Sequence, residues 1–139
     1  MIKYLFLFSF FLMLSCQDKI DNNLCNQAIL IDSNAYSNTT SNNFFINSIE
    51  IIDNCLIINY GASGCDGNSW QEKLIDSELI LESSPPQRNL AFSLENFELC
   101  TAYFTKEVSF DISSLQVGGQ SVFLNIENGE NDFKVLYEY

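Results

Sequence analysis

The hydrophobic pattern of the chain changes character twice. Residues 4–14 form an apolar run, rich in Phe and Leu and interrupted only by Ser9. Residues 17–43 are rich in Asn, Ser and Thr, and from Phe44 onward apolar and polar residues alternate in short runs separated by Gly, Asn, Asp and Pro. Alternation with a period of two predicts β-strands.

This pattern predicts eight strands. Asp53 and Asn54 form a two-residue link of a type that tolerates positive φ, which predicts a hairpin. Only residues 95–103 have the spacing of a short helical turn, with Phe97, Cys100 and Thr101 able to point inward. The predicted strands are 45–52, 55–60, 70–75, 79–81, 90–94, 105–112, 121–126 and 134–139.

Short strands without a long helix predict an all-β fold. We expect an antiparallel β-sandwich of immunoglobulin-like size with at most one short helical turn, and a closed barrel is the alternative. The predicted organisation is a signal peptide at 1–15, a lipidated cysteine and polar tether at 16–43, and the sandwich at 44–139.

The apolar run near the start has the features of an export signal. Lys3 precedes it, and it is shorter than the roughly 20 residues that a membrane-spanning helix needs. It ends in Leu-Met-Leu-Ser-Cys at residues 12–16, which resembles the lipobox of bacterial lipoproteins. The resemblance implies cleavage after Ser15, a diacylglycerol on the thiol of Cys16 and a further acyl chain, such as palmitate, on its freed amine. The alternative is an ordinary signal peptide.

The residues after Cys16 bear on localisation. Residues 17–21, Gln-Asp-Lys-Ile-Asp, resemble the short charged stretch that directs lipoproteins of the Bacteroidota to the cell surface. We therefore expect a monomer held in the cell envelope by its lipid, at the outer membrane. The face of that membrane is left open.

The charge of the chain excludes one class of partner. Its formal net charge is −12, and without Lys3 five basic residues stand against eighteen acidic ones. Such a surface repels phosphate backbones, so nucleic-acid binding is not expected. Acidity also serves solubility on a surface protein.

Four cysteines are left once Cys16 carries lipid. An even number in an exported chain predicts two disulfides, and three pairings can be drawn. We favour Cys25 with Cys55 and Cys65 with Cys100, because the lead segment around Cys25 most needs fixing. Zinc sites usually contain closely spaced pairs of cysteines, which are absent here.

Candidate chemistry is sparse. The chain has no histidine, which removes the commonest general base and many metal sites. We expect no catalytic residues, no enzyme activity, no metal and no cofactor. The remaining alternative is an enzyme that uses carboxylates alone, although eighteen scattered acids supply carboxylate pairs by chance.

The segment 61–70, Gly-Ala-Ser-Gly-Cys-Asp-Gly-Asn-Ser-Trp, is the most unusual part of the sequence. Trp70 is either the anchor of a recognition loop or a core residue that opens a strand. Asp66 and Asn68 match the start of a calcium loop, but the later ligands of an EF-hand are missing. Both are candidate ligand-binding residues.

A second conspicuous loop is Pro-Pro-Gln-Arg at residues 85–88. Arg88 is either a protruding contact or the partner of a nearby acid. The elements G-C-D-G-N-S-W and P-P-Q-R make residues 44–139 similar to small uncharacterised lipoproteins of the Bacteroidota, a resemblance that implies no activity.

These observations favour a lipid-anchored binding or structural module for an envelope protein or a glycan. The alternative is an inhibitor of a protease or another hydrolase that presents its loops to an active site.

Overall fold

A computed structural model describes residues 25–40, 43–127 and 132–139 of the chain. The residues predicted to form the signal peptide, the lipidated cysteine and the surface-export stretch lie outside the described residues. No helix among the described residues is long and apolar enough to cross a bilayer.

The described residues form nine strands, one short α-helix and one 3-10 turn. The α-helix, α1, is Ser33–Ser37 and the 3-10 turn is Ser113–Leu115. The strands are β1 Gln27–Ala28, β2 Leu30–Ile31, β3 Phe44–Ile52, β4 Cys55–Gly64, β5 Gln71–Leu81, β6 Gln87–Glu95, β7 Ala102–Asp111, β8 Ser121–Glu127 and β9 Phe133–Glu138.

The strands lie in two sheets. One has the order β1-β7-β4-β3 and the other β2-β5-β6-β8-β9. The sheets pack face to face, which confirms the predicted all-β sandwich and not the barrel. The longest pairings are antiparallel, including the β3–β4 hairpin in which Ile52 faces Cys55 across the predicted turn. Asp53 in that turn has a φ of 53°.

Three pairings are parallel, so the sheets are mixed. They are β1 with β7, β2 with β5 and β6 with β8. Since β7 belongs to the other sheet, the chain leaves the five-stranded sheet after β6 and returns in β8. The return brings β8 alongside β6 in the same direction.

The core lies between the inner faces of the two sheets. The predicted alternation is confirmed on β7 and β8, where Val108, Phe110, Val122 and Leu124 are buried. Burial of these faces is the main favourable contribution to folding. The largest fully buried side chains are Tyr60, Tyr137, Phe92, Phe110, Leu56, Ile58, Leu74, Leu90, Ile112, Leu115, Leu124 and Ile126.

One predicted boundary between strands is a bulge. The strands predicted at 70–75 and 79–81 form the single strand β5, which begins one residue later than predicted and whose register with β6 shifts between Asp76 and Ile80. Glu78 within the bulge has a φ of 66°. The polar residues there suggest a turn in the sequence, but they form a bulge and the strand continues beyond it.

The lead segment is more ordered than a tether. Within residues 25–40, which the sequence analysis assigned to the tether, β1 pairs with β7 and β2 pairs with β5. Asp32 caps α1, because its Oδ1 accepts the N–H groups of Asn34 and Ala35 at 2.9 Å. The sandwich therefore includes residues from Cys25 onward.

The predicted disulfide pairing is confirmed, and the two bonds lie at opposite ends of β4. Cys25 is bonded to Cys55 at the start of the strand. Cys65, one residue after the strand, is bonded to Cys100. At about 3.3 Å per residue, the ten residues of β4 separate the two bonds by roughly 30 Å. We call the end of β4 that carries the Cys25–Cys55 disulfide the Cys55 end.

Candidate functional site

The candidate site is the end of the sandwich held by the Cys65–Cys100 disulfide. Two segments meet there: residues 65–70, which connect β4 to β5, and residues 96–100, which are part of the connection from β6 to β7. We call these two segments together the stapled tip. Both leave the sheets, so their backbone N–H groups need partners outside the strand ladders.

Glu98 supplies those partners. Its Oε2 accepts the backbone N–H groups of Cys65 at 2.5 Å, Asp66 at 3.2 Å and Gly67 at 3.1 Å. Its Oε1 accepts the hydroxyl of Ser69 at 2.7 Å. Successive N–H groups that converge in this way form a concave anion-binding nest, and here a carboxylate of the same chain occupies it.

The nest lowers the pKa of Glu98 to about 2. The hydrogen bond from Ser69 is the largest cause, and those from the backbone of Gly67, Cys65 and Asp66 add to it. These donors stabilise the charged form of the carboxylate. Glu98 therefore stays ionised over most of the pH range and holds the two segments together.

Trp70, the last residue of the first segment of the tip, is only 5 % exposed, so it is the core residue of the two alternatives. Lys106 lies 5.3 Å from the centre of its ring. The same ammonium group donates to the backbone oxygen of Gly67 at 2.9 Å and contacts Glu72 at 3.2 Å. Tyr60 donates to Glu72, and its burial raises its pKa. This network supports the tip from the core side.

The outer side of the tip is apolar. Phe97 is 79 % exposed and Leu99 is 95 % exposed, whereas Asn96 before Phe97 and Glu98 between the two are partly buried. Side chains that alternate between protein and solvent indicate an extended segment.

The helical turn predicted at 95–103 is therefore wrong. Phe97 and Thr101 face solvent, and Cys100, also exposed, is held by its disulfide. The physical reason is that two attachments hold this segment to residues 65–67. The Glu98 carboxylate is bound by the nest and Cys100 by its disulfide, and the chain runs extended between these two points.

Asp66 and Asn68 both lie on the tip and are exposed. Asp66 Oδ1 accepts the backbone N–H of Asn68 at 2.9 Å, which makes a local Asx turn. Their side chains shape the loop that carries the nest.

Arg88 is not part of the tip and does not protrude, which corrects the first of the two interpretations of this residue. It is 7 % exposed, and its Nε and one Nη donate to the two carboxylate oxygens of Asp76 at 2.9 and 2.6 Å. Asp76 is fully buried and also accepts the N–H of Glu78 in the β5 bulge. Two buried charges satisfied in this way serve the fold, since either alone would be costly.

A depression of about 320 Å³ lies beside the tip on the outer face of the four-stranded sheet. Two half-exposed rings, Phe45 and Tyr103, line it together with Asn96 and Glu98 of the tip. Nothing in the sequence pattern marked these residues, because a single aromatic residue on the outer face of a strand is common.

The comparisons with known proteins bear on the fold. No protein-family model matches the chain, and no curated protein sequence matches it. It is similar to a solved structure from Parabacteroides distasonis named "Putative TOXIN related protein", with a TM-score of 0.56 and 20 % identity over 81 % of this chain and 59 % of that one.

A protein of unknown function from Bacteroides vulgatus is similar in the same way, with a TM-score of 0.55 and 13 % identity over 81 % of this chain and 55 % of that one. The chain thus spans little more than half the length of these two structures. At such identities the likeness shows a shared β-sandwich fold.

Proposed function

We propose that this chain is a lipid-anchored binding module of the cell envelope, and that its stapled tip contacts a protein partner. The observation that carries the proposal is the exposure of Phe97 and Leu99 on a segment held by a disulfide and by the Glu98 nest. A segment whose backbone is already held loses little backbone entropy on binding, and apolar anchors contribute most of the binding energy in many interfaces.

The position of the tip supports the same function. The proposed anchor at Cys16 precedes Cys25, and Cys25 is bonded to Cys55 at the end of β4 away from the tip. A chain attached to a membrane at the Cys55 end presents Phe97 and Leu99 at the other end, roughly 30 Å away. This arrangement suits contact with a partner that approaches from outside the membrane surface.

The anchoring itself is tested with Cys16→Ser in the native host. The wild-type chain is expected in the membrane fraction and the variant in the soluble fraction, since several acyl chains hold a small domain firmly. Protease treatment of intact cells then reports the face. A variant that stays in the membrane fraction contradicts the lipid anchor.

The tip is tested by photocrosslinking in living cells. A photoreactive phenylalanine analogue replaces Leu99, and the matched control carries it at Ile52, which is 53 % exposed at the Cys55 end. We expect a discrete adduct of defined mass from position 99 that disappears when Phe97→Ser is added, and none from position 52. Equal adducts from both positions, or none from position 99, contradict the proposal.

A second function is favoured by the shape of residues 96–100. They are extended, alternate between protein and solvent, and end at a disulfide, which is how an inhibitor loop enters the cleft of a protease. Titration of a panel of secreted proteases with the chain tests this function. Inhibition that Leu99→Gly removes supports it, and unchanged activity of every protease contradicts it.

A further inference from the structure

The depression beside the stapled tip is large enough for a small ligand. Its volume of about 320 Å³ falls at the lower end of the range for small-molecule pockets, and it opens on the outer face of the sheet formed by β3, β4 and β7. Neither Phe97 nor Leu99 lines it. A ligand of the depression would therefore not need to contact the two side chains proposed to bind the protein partner.

Two aromatic rings form its apolar part around a glycine. Phe45 on β3 pairs with Gly61 on β4, and Tyr103 on β7 pairs with Ser63, two residues further along β4. The phenol of Tyr103 lies where a side chain at position 61 would be, so only glycine leaves room for this ring. Phe45 is 51 % exposed and Tyr103 is 56 % exposed. The sheet thus holds two rings in place with part of each open to a ligand.

Apart from Ala62 and the disulfide-bonded Cys100, the rest of the lining is polar, and Glu98 is its one charged residue among the described residues. Asn96 is fixed, because its Nδ2 donates to the backbone oxygen of Ser63 at 2.9 Å and its Oδ1 accepts the N–H of Glu98 at 2.9 Å. Within the described part of the chain, the side chains of Asn43, Ser63 and Tyr103 make no hydrogen bond. Hydroxyl and amide groups are therefore available beside the rings as both donors and acceptors.

The charges narrow the class of ligand. No lysine or arginine is among the described residues that line the depression, and both oxygens of Glu98 are already bonded to the nest and to Ser69. An anionic ligand would meet no positive charge here and would be repelled by a chain of net charge −12. A purely aliphatic ligand would leave the amide and hydroxyl groups of the lining without partners.

We propose that this depression binds one neutral sugar unit of a glycan. A pyranose ring has apolar faces of C–H groups that stack on aromatic rings, here Phe45 and Tyr103, and a rim of hydroxyls that exchange hydrogen bonds with Asn43, Ser63 and Asn96. Tyrosine combines both properties in one side chain. This site extends the function of the chain beyond the protein contact at the tip and does not depend on that contact.

The test measures binding of the full mature chain to soluble polysaccharides by affinity electrophoresis and calorimetry. The neutral probes are a mannan, a β-glucan, a xylan and an arabinogalactan, and the anionic probes are heparin and polygalacturonate. We expect at least one neutral probe to bind, and Tyr103→Ala and Phe45→Ala each to weaken that binding about tenfold or more, the equivalent of about 1.4 kcal/mol. Phe97→Ser, on the tip but outside the depression, should bind as the wild type does.

Each other outcome overturns the proposal. Binding to none of the neutral probes, equal or tighter binding of the anionic probes, or unchanged binding by both aromatic variants would do so. Sedimentation is run in parallel: a dimer that Phe45→Ala dissociates would assign the depression to a second copy of the chain. Because the crosslink from position 99 is a separate measurement, failure of the sugar site is distinguishable from failure of the protein contact.

Discussion

The two ends of β4 carry one disulfide each, but they are built differently. At the Cys55 end, side-chain hydrogen bonds link three polar residues. The hydroxyl of Tyr137 donates to Asn54 Oδ1 at 2.5 Å and accepts from the side-chain amide of Gln116 at 2.8 Å. Tyr137 itself is fully buried. At the stapled tip the polar groups are also joined, but they hold Phe97 and Leu99 out in water.

The two disulfides therefore have different structural roles. At the Cys55 end the disulfide fixes the lead segment to the sandwich, where β1 and β2 complete the sheets. At the tip it fixes a segment that contributes little to the core. The exposed side chains of Phe97 and Leu99 bring little folding stability, and this is why a contact with a partner is proposed for the tip.

The largest expected effect is at the boundary between core and tip. Trp70→Ala should lower the free energy of unfolding by about 3–5 kcal/mol, because it removes a large buried ring and leaves a cavity. Urea denaturation followed by circular dichroism measures it, since the variant lacks the chain's single tryptophan. Trp70→Phe is the control and should lose less. A loss below about 1 kcal/mol for the alanine variant would contradict the buried placement of Trp70.

The two disulfides should have similar energies and different consequences. Replacing either pair by serine should lower the free energy of unfolding by about 3–4 kcal/mol, since the closed loops have sequence separations of 30 and 35. Only Cys65→Ser with Cys100→Ser should raise amide hydrogen exchange at residues 96–100 beyond the global change. The same increase in the Cys25→Ser, Cys55→Ser variant would show that the two ends are not independent.

Glu98 should make the tip sensitive to acid. Its pKa is lowered from 4.5 to about 2 in the folded chain, so its contribution to stability is present above about pH 4.5 and is lost as the pH falls towards 2. Glu98→Gln should therefore unfold at lower urea than the wild type at neutral pH, and the two midpoints should converge near the folded pKa. Glu107→Gln, exposed on β7, is the matched control. A difference that persists at the lowest pH would place the effect outside the carboxylate.

The smallest effect on stability is expected at the two exposed side chains that carry the proposed contact. Phe97→Ser with Leu99→Ser should change the free energy of unfolding by no more than about 0.5 kcal/mol, because neither side chain is buried. The same variant should lose any tip-dependent adduct. A loss of stability above about 1 kcal/mol would indicate that these side chains pack on the sandwich.

Some of the fold could be predicted because it depends on local patterns. The alternation of Val108 and Phe110 with polar neighbours has the period of a strand whatever it packs against. Asp53 and Asn54 between two apolar runs indicated the hairpin for the same reason. The bulge in β5 could not be predicted, because the polar residues around Asp76 have the composition of a turn. What keeps them in the strand includes the pairing of Asp76 with Arg88 on the next strand, which the local sequence does not show.

Only one of the two segments of the candidate site could be predicted from the sequence. The segment 61–70 stood out by composition, but the residue that organises it, Glu98, lies 31 residues from Gly67 and is one of eighteen acids in the chain. A glycine-rich loop with several N–H groups outside a strand is the one signal that points to such a partner. The outward direction of Phe97 had no local signal, because the helical spacing of its neighbours indicated the opposite.

The sequence by itself determined the class of the fold, the main strands, the acidity and the four cysteines that follow Cys16, since these follow from periodicity and composition. Only the tertiary structure decided which polar residues are buried pairs, which carboxylate fills the nest, and which apolar side chains stay in water. Those outcomes depend on contacts between residues far apart in the chain, such as Glu98 with residues 65–67 and Tyr103 with Gly61. Periodicity carries no information about such contacts, because each is set by how the two sheets and their connections meet in space.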